Sequence, residues 1–228
     1  MVAQTLQAAY ALHTRRYGDS SLIVDLFTRE QGRVACVAKG ALRARRPDTR
    51  IQSFQPLLVE LRGRGEVLTL VRVESGAAPL RFCGRDIYCG LYLNELLLKL
   101  TPREDACPAL FDDYALAIEG LSTTMPVEPV LRRFEVRLLY HLGLGLALEV
   151  DSKGQPIAPD SSYTYDVDSG AGVVPPEQPG ALDGRTLLAL RSGIFDDEAC
   201  LQQARSLMRR ILDWHLDGRP LRSRELFR

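Results

Sequence analysis

The hydrophobic period of this chain changes once, close to residue 80, and that change fixes most of what it can fold into. Before it, apolar residues alternate in short runs; after it, they recur every three to four residues. Alternation places one side of an extended strand against a core, and helical spacing places one stripe of a helix there. Strands followed by helices imply an α+β protein built as more than one domain. The expected division is 1–80 and 81–228, lengths that suit two small domains.

The first part offers five candidate strands, at 7–13, 21–28, 33–39, 54–62 and 66–74. Turn residues separate them: Tyr17-Gly18-Asp19, Glu30-Gln31-Gly32 and Gly63-Arg64-Gly65, where glycine supplies positive φ. Five short strands in so few residues suggest a small closed barrel, because closure removes exposed edges. A five-stranded OB-fold is the economical choice, with an SH3-like barrel as the alternative that pattern alone leaves open. The second part reads as an all-α helical domain, with helices at 86–100, 107–121, 129–142, 183–191 and 197–216, the last capped by Asp196 or Asp197. Residues 149–182 interrupt it with five prolines and several glycines, and Tyr163-Thr164-Tyr165 is a possible short strand there. This segment is expected to be an irregular excursion.

Signatures of catalysis are missing. The chain has neither a Walker A motif, nor a G-x-G-x-x-G after a strand, nor H-E-x-x-H, nor G-x-S-x-G. His13, His141 and His215 fall in three separate elements, as structural histidines do. The five cysteines are irregularly spaced with no C-x-x-C pair, which argues against a disulfide framework and a four-cysteine zinc site. They read as small buried hydrophobes. No enzyme activity, metal or cofactor is expected. The N-terminus lacks the pattern of a signal peptide, and no apolar run nears the ~20 residues that span a bilayer. A cytoplasmic location follows, with no membrane partner and no small-molecule substrate.

Charge points to a polyanion. The formal net charge is zero, but residues 1–81 hold 13 Lys/Arg against 7 Asp/Glu, and residues 82–228 hold 16 against 22. Lys39, Arg43, Arg45, Arg46 and Arg50 crowd the loop between the third and fourth candidate strands, opposed only by Asp48. Such a loop attracts phosphates without sequence preference. Arg15, Arg16 and Arg33 extend the patch if the barrel gathers its strand ends, as do Arg62 and Arg64. Aromatic residues are few before residue 80, so electrostatic tracking of a DNA backbone outweighs base stacking. A simple solvated loop is the plain alternative.

Two further features stand out. On the helix at 129–142, Val130, Leu131, Phe134, Leu138 and Leu142 share one face, Arg133 and Arg137 flank it, and Arg132 lies on the other flank near Leu139. An apolar strip edged with guanidinium groups suits an acidic, hydrophobic peptide; an ordinary buried face with surface ion pairs explains it as well. The basic tail, Pro220 to Arg228, either adds Arg222 and Arg224 to a DNA surface or anchors the chain.

These residues carry a resemblance to the bacterial recombination mediator family RecO. The matching stretches include Tyr10-Ala11-Leu12-His13-Thr14-Arg15, Val37-Ala38-Lys39-Gly40-Ala41, Leu91-Tyr92-Leu93-Asn94-Glu95-Leu96, Leu131-Arg132-Arg133-Phe134-Glu135 and Pro220-Leu221-Arg222-Ser223-Arg224-Glu225-Leu226-Phe227. The resemblance implies an OB-fold followed by a helical domain, as the periodicity does. It also implies binding of single- and double-stranded DNA, annealing of complementary strands without ATP, and loading of recombinase onto DNA coated by single-strand-binding protein. The implied partners are RecR and the acidic tail of single-strand-binding protein, docked near Arg132 and Arg133 in company with Leu131, Arg137 and Leu139. The implied location is the cytoplasm, at the nucleoid. Some members carry a four-cysteine zinc module in the helical domain. The corresponding stretch here has no cysteine, so packing must do that work or the excursion is mobile. A pure protein adaptor that never touches DNA is the competing reading.

Overall fold

The alternating segment closes into a barrel in the computed structural model, which describes residues 6–43, 49–77, 80, 82 and 84–227. Its strands are β1 (Gln7–Tyr17), β2 (Ser21–Thr28), β3 (Gly32–Ala38), β4 (Leu57–Arg62) and β5 (Val67–Ser75). Their order is β1-β2-β3-β5-β4, with β4 closing onto β1. All neighbours are antiparallel except β3 and β5, which run parallel. This is the OB topology and removes the SH3-like alternative. Ala9, Ala11, Val24, Leu26, Val34, Cys36, Leu57 and Val59 fill the interior. Burial pushes the Cys36 thiol up to about 12, with help from Asp25, as befits a packing residue.

One strand differs from its sequence reading. β1 continues past His13 to Tyr17, because pairing with β2 runs out to Tyr17 opposite Ser21. Arg15 and Arg16 therefore sit on a strand end and not in a loop.

Two helices, α1 (Asp86–Leu100) and α2 (Pro108–Leu121), pack with the barrel. Tyr10 and Phe27 are cross-strand partners that point outward, where each meets Phe111 and Tyr114 with ring centroids 5.1–5.9 Å apart. A β-bulge between Ala11 and His13 leaves Leu12 unpaired with β2. The buried Asn94 of α1 donates Nδ2 to the Leu12 carbonyl at 2.9 Å and accepts the Tyr114 hydroxyl at 2.5 Å. Burial raises the Tyr114 pKa, so that hydroxyl stays a donor. Gly32 (φ 66°) lies against the Asp105 carbonyl, and a Cβ there would stand 2.0 Å from its oxygen. Replacing Asn94 with Ala should cost about 2–4 kcal/mol in urea unfolding, because the Leu12 carbonyl and the Tyr114 hydroxyl both lose a buried partner. A loss under about 1 kcal/mol would mean that this network does not hold the helices to the barrel.

The tail belongs to the same unit. Leu221 is buried, and the Glu95 carboxylate accepts from the backbone amides of Arg222 and Ser223 and from the Ser223 hydroxyl at 2.7–3.0 Å. Lys99 pairs with Glu95 at 3.3 Å. Burial raises the Glu95 pKa, but these bonds together outweigh it and hold the carboxyl below its ordinary value. One compact unit thus comprises Met1–Thr123 with Leu221–Arg228, and a second comprises Thr124–Pro220. These units do not follow the change of period at residue 80.

The second unit holds α3 (Val127–His141), a small sheet, α4 (Gly184–Ser192) and α5 (Glu198–Leu216). Asp197 caps α5 through the Cys200 amide at 2.7 Å. The region is not purely helical. The stretch expected to be irregular contains β6 (Ser162–Asp166), β7 (Gly170–Val173) and β8 (Leu182–Asp183), in the order β7-β6-β8. Alternation along β6 buries Tyr163 and Tyr165. Their hydroxyls accept the amides of Ala158 (2.9 Å) and Ala147 (3.1 Å), and the Asp151 carboxylate accepts those of Lys153 and Gln155, both at 2.8 Å. Packing and local hydrogen bonds hold this segment together.

Candidate nucleic-acid interface

The barrel gathers part of its basic residues at one end. Arg16, Leu22 and Ala38 form one row across β1, β2 and β3, so Lys39 follows at the same end. A 3-10 turn, Ala41–Arg43, folds over the β1–β2 turn, with the Leu42 amide bonded to the Ser20 carbonyl at 3.0 Å. Ile51 packs on the barrel core from the same side and brings Arg50 with it. Arg15, Arg16, Lys39, Arg43 and Arg50 are all exposed. None of the five side chains makes an ion pair among the described residues. Asp19 is the one described acid on these turns. Unpaired cations clustered on a low-dielectric body focus a positive potential on a polyanion. A shallow cavity of about 150 Å³ lies beside them, lined in part by Lys39, Thr49, Ile51 and Val71.

The outward side of this end has its own character. Arg15, Ile23, Val37 and Thr69 form a second row, which alternates with the inward row of Thr14, Val24, Cys36 and Leu68, buried at Val24 and Cys36. Ile23 and Val37 are half-buried, and Tyr17 stands two residues beyond Arg15 on the same side, 56% exposed.

The other candidates from the sequence differ in setting. Arg33 is half-buried and donates to the Thr101 carbonyl at 2.9 Å; burial and the neighbouring Arg103 lower its pKa. It fastens β3 to the segment after α1 and is not part of the rim. Arg62 pairs with Thr69 and so continues the row of Arg15, but its exposed guanidinium is bound to Glu60 at 2.8 Å. Arg64 is exposed on the β4–β5 turn, which the parallel pairing of β3 and β5 directs toward the start of β3, away from Lys39. Arg45 and Arg46 lie outside the described residues. In the tail, Arg222 is exposed and Arg224 half-buried, on a short segment fixed by Glu95. The backbone there is an anchor whatever else its side chains do.

On α3 the apolar strip serves the interior. Leu131, Phe134, Leu138 and Leu139 are buried. Arg132, expected at an open margin, is 5% exposed and pairs with the fully buried Glu135 at 2.8 Å. Leu131, Leu139 and Arg132 therefore present little to a docking peptide. The open flank carries Arg133, which contacts Gly193, and Arg137, whose guanidinium sits 5.4 Å from the ring centroid of Tyr140. Tyr140 is 62% exposed. Sequence reasoning passed over it, although its i+3 spacing from Arg137 puts both on one flank.

Among the described residues, no three His, Cys, Asp or Glu side chains gather closely enough to hold a metal ion, and no helix is long and apolar enough to cross a membrane.

The family model "Recombination protein O N terminal" matches residues 1–77, and "Recombination protein O C terminal" matches residues 83–225. The chain is 44% identical over 225 residues to the DNA repair protein RecO of Methylococcus capsulatus, covering 98% of this chain and 93% of that one. It is 43% identical over 227 residues to the DNA repair protein RecO of Pseudomonas paraeruginosa, covering 100% and 96%. The DNA repair protein RecO of an Azoarcus species is likewise 43% identical, over 232 residues.

Proposed function

Because the chain belongs to the RecO family of DNA repair proteins, we propose that it is a recombination mediator that grips DNA at the basic end of its barrel. The observation that carries this reading is the set of five exposed cations, Arg15, Arg16, Lys39, Arg43 and Arg50, that make no ion pair among the described residues. They neutralise phosphates on single and double strands alike, and counterion release supplies the affinity. Annealing then needs two complementary strands held close with their repulsion screened. That requires no nucleotide hydrolysis and no catalytic residue. In this reading the protein works with RecR and receives the acidic tail of single-strand-binding protein on the α3 flank of Arg133, Arg137 and Tyr140, and so brings recombinase to coated DNA. It acts in the cytoplasm, at the nucleoid.

Salt titration tests the reading. Affinity for a labelled oligonucleotide should fall with salt on a log–log slope of about −3.5, since each neutralised phosphate of a single strand contributes about −0.7. Sequence should matter little. A protein that fails to shift naked DNA at moderate salt, yet binds a peptide ending in acidic and aromatic residues, would be the adaptor and not the mediator.

A further inference from the structure

We propose that Tyr17 stacks on an unpaired base and gives the basic end of the barrel a preference for single strands, an inference that rests on the DNA-binding reading above. Four aromatic residues belong to the barrel segment. Tyr10, Phe27 and Phe54 are at most 6% exposed, and Tyr17 is 56% exposed. A single exposed aromatic residue is ordinary on a protein surface. The setting of this one is not. It is the last residue of β1, directly after Arg15 and Arg16, and pairs with Ser21 across the β1–β2 turn. It shares its side of the sheet with Arg15 and with the half-buried aliphatic residues Ile23 and Val37. Leu42, 41% exposed, is brought alongside by its bond to Ser20. Lys39 and Arg43 are exposed at the same end of the barrel.

Cations with an open aromatic face between them match a nucleotide, which offers a phosphate and a flat base a few ångströms apart. Guanidinium and ammonium groups hold the backbone, and the ring receives the base. In a duplex each base face is covered by its neighbours, so only the backbone remains available. Tyr17 therefore adds to single-strand affinity and leaves duplex affinity alone. It is a specificity residue on a surface whose general affinity is electrostatic.

The experiment compares wild type, Tyr17→Ala and Tyr17→Phe on a single-stranded oligonucleotide, its duplex, and an abasic single strand of equal length. Tyr17→Ala should weaken single-strand binding about tenfold, within the range seen when a stacking ring is removed. Duplex binding should change less than about twofold, and Tyr17→Phe should keep the wild-type preference, since the ring and not the hydroxyl does the stacking. Wild type and Tyr17→Ala should bind the abasic strand alike. Equal losses on single strand and duplex, or no loss on either, would overturn the assignment while leaving the DNA-binding reading intact. Failure of the wild type to bind any of the three would overturn both.

Discussion

Replacing Arg132 with alanine is expected to destabilise the unit Thr124–Pro220 by about 3–5 kcal/mol, the usual cost of removing one partner from a buried ion pair. Arg132 and Glu135 are i and i+3 on α3, with side chains 6% and 0% exposed, and their contact at 2.8 Å is shielded from water. Without the guanidinium, the Glu135 carboxylate must stay charged in a poor solvent or take up a proton. Either route costs stability. For a unit of this size, such a loss lowers Tm by roughly 10 °C or more. The double substitution Arg132→Met with Glu135→Leu should recover most of it, because an apolar pair of similar volume needs no desolvation. A single variant that melts with the wild type would show that the pair is not sealed in the core. The same argument decides how a peptide site on α3 is probed. Loss of binding in Arg132→Ala reports folding, whereas Arg133→Ala and Arg137→Ala change exposed groups and report contact.

Much of this architecture was legible in the sequence, and the parts that were not share a physical cause. Period-2 runs at 21–28 and 66–74 anticipate β2 and β5 because alternation is a direct consequence of strand geometry. The end of β1 escapes that logic: Thr14 to Tyr17 have no alternating apolar pattern, and their strand conformation comes from pairing with β2. Helical spacing told that α1 has an inner face but not what it faces. Asn94, read as one letter of a family motif, joins β1 to α2 through Leu12 and Tyr114, and the next residue, Glu95, holds the tail. Adjacent residues on a helix point about 100° apart, and here that divergence ties two segments to one element. Helical spacing puts Arg132 at the margin of the apolar strip, where an arginine is ordinarily exposed, and the structure buries it. The signal that places it inside is Glu135, three residues on along the same face, which supplies the counter-charge. Proline and glycine in 149–182 point to an irregular excursion, while the alternating Tyr163 and Tyr165 mark the strand that orders it.

On the barrel, the triple variant Arg15→Ala, Lys39→Ala, Arg43→Ala should bind single-stranded DNA about fifty-fold more weakly near physiological salt, with the log–log salt slope reduced by about 2. The magnitude follows from counterion release. Three phosphate contacts at about 0.7 each give the change in slope, and extrapolation from 1 M salt to about 0.15 M turns that slope into the affinity lost. All sequences should suffer alike, because the three side chains offer charge and read no base edge. Duplex binding should also fall, which separates this variant from Tyr17→Ala. Stability should move by no more than about 0.5 kcal/mol, since each side chain is exposed and makes no ion pair among the described residues. The control removes a salt-bridged pair without changing net charge: Arg62→Gln with Glu60→Gln, which replaces two side chains paired at 2.8 Å, should change affinity less than about twofold. Were the triple variant to keep the wild-type slope, the strand would be held elsewhere, with Arg64 toward the start of β3 and Arg222 on the tail as the next positions to replace. The three side chains belong to β1, the residue that follows β3 and the 3-10 turn after it, so a graded loss across single, double and triple variants would further show that a DNA strand crosses these elements at once.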